Sequence, residues 1–80
     1  MSAAHPAYLE IVDFIAAGTT PEALLAFRPS DAAQHRVNEL VSKKQDGTLT
    51  ADEESELEEF LHWEHILILA KAQARRHLAA

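Results

Sequence analysis

From Ala51 to His77 the chain runs for 27 residues without a glycine or a proline. Nothing there interrupts an α-helix, and at 1.5 Å rise per residue such a helix spans roughly 40 Å. A compact domain of eighty residues has a radius of gyration near 12 Å and a diameter of about 30 Å. One helix therefore outruns the globule that its own chain could form. The other elements must be arranged along this rod, and part of it must bend or be covered from outside.

Punctuation elsewhere divides the chain into three shorter helices. Pro6 suits a first helical turn, and the apolar positions Tyr8, Ile11, Val12 and Ile15 recur at i, i+3, i+4 and i+7 until Gly18 offers a left-handed stop. Thr20 then caps a second helix, with Pro21 at its first position and Glu22 complementing the helix dipole. Pro29 ends it by forcing Arg28 out of helical conformation. Ser30 caps a third, whose buried face is expected to comprise Ala33, Val37, Leu40 and Val41, and Gly47 stops it. The reading is an all-α fold in a single domain over 1–80, with three shorter helices packed on one long C-terminal helix. The expected spans are 6–17, 21–27, 31–45 and 51–77.

Charge and composition exclude several classes. A net charge of −6 makes nucleic acid an unfavourable partner, because phosphate binding rests on a basic face. There is no cysteine, so disulfides and thiolate metal sites are absent. No apolar run is longer than that at Ile66–Ala70, far short of the roughly 18 residues of a membrane span. The start, "MSAAHPAYLE", lacks a basic region leading into an apolar one. The expectation is a cytoplasmic protein of bacterial type with no membrane association and no cofactor.

The segment Asp46–Glu53 imitates the second half of a calcium-binding loop. Setting Gly47 at the loop's sixth position places Ser42 at position 1 and Lys44 at position 3, where calcium requires oxygen anions. Those two residues rule the loop out. Thr50-Ala51-Asp52-Glu53 instead reads as a capping box opening the long helix, with Leu49 tucked into the junction.

Other constellations carry sharper chemistry. Glu59 and His62 share the Glu-x-x-His spacing of carboxylate-bridged metal bundles, and His65 lies three residues further on. One chain holds a single such motif, so a full site needs a symmetric dimer with Glu10 or Glu39 added from each copy. Polar residues on an exposed helix are the plainer account, and no metal site is expected. The second and third helices have the lengths of a helix-turn-helix, which makes a DNA-binding regulator the alternative function, with Arg36, Asn38, Lys43 and Lys44 touching bases and phosphates. Against it stand the acidic total and the lack of a basic arm. No nucleophile elbow or glycine-rich phosphate loop is present, so an enzyme is not expected.

The long helix carries the most information. Acidic residues crowd its start, from Asp52 to Glu59, and Lys71, Arg75, Arg76 and His77 its end, an arrangement that suits the helix dipole. Phe60, Trp63, Leu67, Ala70 and Ala74 repeat with the spacing of a helix-packing seam. Leu57, Leu61, Ile68 and Ala72 form a second stripe, while Ile66 and Leu69 point elsewhere, so the stretch 66–70 is apolar all round and is expected to be buried all round. The expected interface is Phe60, Trp63, Ile66, Leu67, Leu69, Ala70 and Ala74, and the expected partner a second copy in a homodimer or another protein that the sequence does not identify.

Three motifs carry a resemblance: Arg36-Val37-Asn38-Glu39-Leu40, the Gly-x-Leu-Thr-x-x-Glu corner at Gly47–Glu53, and Ala70–Arg75. Through them the stretch Thr19–Leu78 resembles a group of small bacterial all-helical proteins common in cyanobacteria, functionally uncharacterised as a group, some of them antitoxin-like. The resemblance implies an all-helical fold and a non-enzymatic interaction or regulatory role. It supplies no catalytic residues.

Overall fold

The structure, a computed structural model, describes residues 6–79; the first half of the stretch read for a targeting signal lies outside them. Four helices follow one another: α1 (Tyr8–Ala16), α2 (Pro21–Ala26), α3 (Asp31–Asp46) and α4 (Ala51–Ala79). No strand occurs among the described residues. The fold is all-α, with α1, α2 and α3 each packed along α4.

Local chemistry accounts for most of the boundaries. The Thr20 hydroxyl accepts a hydrogen bond from the Ala23 amide, and the Ser30 hydroxyl one from the Ala33 amide, each satisfying a donor that the first helical turn leaves free. Gly18 and Gly47 stand at φ +84° and +75°, a left-handed conformation that costs any residue with a Cβ. Behind Gly47 the amides of Gly47 and Thr48 fold back onto the Lys44 and Lys43 carbonyls and close α3. α2 stops one residue earlier than its spacing suggests. Phe27 already has ψ 134°, because it turns away from α2 to stack on Phe14 with ring centroids 4.3 Å apart.

The core lies between α4 and the three helices laid along it. Ile11, Leu40 and Phe60 are its largest fully enclosed side chains, joined by Val37, Leu57 and Leu67. Leu49 packs against this cluster from the α3–α4 corner. Val41 departs from expectation: it is 39 % exposed, because Ala33, Val37 and Leu40 already complete the buried face of α3.

Polar contacts fix how the short helices sit. The Glu10 carboxylate accepts from the Ser30 amide at 2.8 Å and from the Ser30 hydroxyl, tying α1 to the start of α3. Lys71 on α4 donates to the Phe27 carbonyl at 2.9 Å, holding the end of α2. The molecule measures 47 × 28 × 18 Å, with a radius of gyration of 14.3 Å, above the roughly 12 Å of a compact chain this long. The 29 residues of α4 span about 43 Å, so this helix sets the long dimension.

Candidate functional site

Helix α4 presents two faces with different fates. Leu57, Phe60, Leu67 and Ala74 are buried within the protomer, and Trp63 packs half-buried against the core. Three residues expected at an interface, Phe60, Leu67 and Ala74, are thus only 1 %, 5 % and 2 % exposed and are occupied by their own chain. Ile66 and Ala70 are half-buried. Of the expected set, Leu69 is the large apolar residue left open, at 55 %.

The open apolar surface is the second stripe beyond Leu57, which itself is buried in the core. Leu61 is 47 % and Ile68 57 % exposed, and Ala72 is exposed with them. At about 100° per residue these three fall within roughly 40° of one another around the helix, with Leu69 on the flank. The expectation that residues 66–70 are buried all round is therefore corrected: the short helices cover one side of α4 and leave the other bare. Beside Ile68 the surface continues into an open cleft of about 330 Å³ between the Phe27–Asp31 turn and α4, with Ile11 and Leu67 among its lining and Arg28 and Glu64 among its polar groups.

The four residues considered for nucleic acid are largely engaged elsewhere. Arg36 donates from Nε and a terminal nitrogen to the two oxygens of Glu56, at 2.9 and 3.0 Å, and from its other terminal nitrogen to Glu39 at 2.8 Å. These bonds, to Glu56 and then to Glu39, raise the guanidinium pKa above its ordinary value. Lys43 donates to Glu53 at 2.7 Å, and Asn38 accepts from Gln34. Only Lys44 of the four has no such bond among the described residues. The acidic start of α4 thus neutralises α3, and α2 packs on α4 instead of forming a helix-turn-helix unit with α3. Local spacing does not reveal the pairing with α4, because Glu56 lies twenty residues from Arg36 and Glu53 ten from Lys43.

Glu53 binds twice at the same corner. Its carboxylate accepts from Lys43 and, through its other oxygen, from the Thr50 amide, while the Thr50 hydroxyl accepts from the Glu53 amide. The Lys43 bond, then the Thr50 amide, lowers its pKa from 4.5 to about 2. The capping box is present as read, with a lysine from α3 added to it.

The metal candidates are dispersed. Glu59, His62 and His65 are all exposed, and no three acidic or histidine side chains among the described residues make a set able to hold an ion. Glu10 and Glu39, the acids considered as additional ligands, are bonded to Ser30 and Arg36. No described helix is long and apolar enough to cross a membrane. Scans against protein-family models, curated proteins and solved structures return no match for this chain.

Proposed function

We propose that this protein is a non-enzymatic interaction or regulatory module that works through the bare apolar stripe of α4, and that the surface first engaged is a second copy of the chain. The observation carrying this reading is the exposure of Leu61, Ile68 and Leu69 on one stretch of one helix, 47 %, 57 % and 55 %. Isolated exposed leucines are ordinary, but several large apolar side chains left open along one side of a helix, interrupted here only by His65, are the kind of surface that packs against another helix. Burying one large aliphatic side chain contributes about 1.5–3 kcal/mol. Two copies presenting the same strip bury twice the set, and a two-fold axis is the simplest way to pair identical surfaces.

Analytical ultracentrifugation of the protein tests the reading. The expected result is a concentration-dependent dimer that I68E converts to a monomer with unchanged helix content. A wild-type protein that sediments as a monomer at high micromolar concentration overturns self-association.

A further inference from the structure

We infer that the two copies meet with their α4 helices antiparallel, in one register, a reading that rests on the self-association just proposed. The exposed positions along the bare side of α4 are spaced four and three residues apart in alternation: Glu58, Leu61, His65, Ile68, Ala72 and Arg75, every one exposed. That alternation is the seam of a two-stranded coiled coil. Its charge is asymmetric. The seam is acidic before Leu61 and basic after Ala72, with Leu61, Ile68 and Ala72 apolar between and His65 the one polar position among them.

Orientation follows from that asymmetry. A parallel in-register pair sets Glu58 against Glu58 and Arg75 against Arg75, two like-charge encounters that oppose association. An antiparallel pair reverses this. When Leu61 of one copy lies opposite Ala72 of the other, His65 lies opposite Ile68 and Glu58 opposite Arg75, each residue number and its opposite summing to the same value. Large then meets small, and acid meets base, at both ends of the seam. The two-fold axis passes between residues 66 and 67, near the middle of the apolar stretch, as an isologous interface requires.

The salt bridges within the protomer leave these groups available. The acids at the start of α4 that neutralise α3 are Glu53 and Glu56, which lie about 90° and 150° around the helix from the seam. Glu58 and Arg75 form no ion pair within the chain among the described residues. The N-terminal half of α4 thus carries two acidic rows. One is used inside the protomer, and the other faces the partner.

Because the chain has no cysteine, E54C provides a single labelling site on exposed surface near the start of the seam. Spin labels on the dimer of this variant are expected roughly 37 Å apart, the rise of 25 residues. A parallel pair holds them near 10 Å. The charge arrangement is tested separately by sedimentation: E58R and R75E each weaken the dimer about tenfold, and E58R/R75E regains the wild-type affinity. A dimer with labels near 10 Å, or a double variant weaker than either single one, overturns the antiparallel register while leaving self-association standing. A monomer at every concentration defeats both proposals.

Discussion

Glu53 links the start of the long helix to the helix before it. Its carboxylate holds the Thr50 amide on one side and the Lys43 ammonium on the other, and both contacts require the ionised form. Its pKa is therefore lowered on folding, from 4.5 to about 2, and the unfolded chain binds the proton more tightly. The stability that this charge supplies is present above pH 4.5 and is lost as the pH falls toward 2. Thermal unfolding of E53Q beside the wild type checks this: the variant melts lower at pH 7, and the two converge near pH 2. A gap that persists at pH 2 counts against an ionic origin. Half of this arrangement is legible in the residues themselves, since Thr50 and Glu53 are three apart and read as a capping box. The Lys43 contact is not, because it depends on α3 turning back at Gly47 so that residues ten apart meet.

Helix α4 shows how one amphipathic reading can choose the wrong side. Its apolar positions form two stripes, and spacing alone does not rank them. Phe60, Leu67 and Ala74 belong to the stripe with a regular seam, and that seam is filled by the chain's own helices. Leu61 and Ile68 belong to the other and stay open. The two stripes respond differently to truncation. F60A empties a position that is 1 % exposed and costs about 3–5 kcal/mol, a large share of the stability of a domain this small. L61A, on the bare side, changes monomer stability by no more than about 0.5 kcal/mol. Chemical denaturation at a concentration where the protein is monomeric measures both, and comparable losses contradict the assignment of faces.

An elongated molecule of 47 × 28 × 18 Å buries less of its surface than a sphere of the same chain, and association offsets part of that deficit. Folding and pairing are then linked, so stability depends on concentration. For a dimer that dissociates as it unfolds, Tm rises by about 4 °C for each tenfold increase in protein. Calorimetry over two decades of concentration reads this directly, and a constant Tm would speak for a monomer. The helix count, the stops at Gly18 and Gly47, and the caps at Thr20, Ser30 and Thr50 were all legible in the chain, because each depends on residues within four positions of one another. So was the excess length of α4, since an unbroken helix has a set rise per residue. Which side of α4 stays bare was settled only by tertiary structure. It depends on where α1, α2 and α3 lie, and long-range contacts such as Glu10 to Ser30 and Lys71 to Phe27 hold them there. Periodicity describes a helix around its own axis, whereas burial is decided by what approaches it.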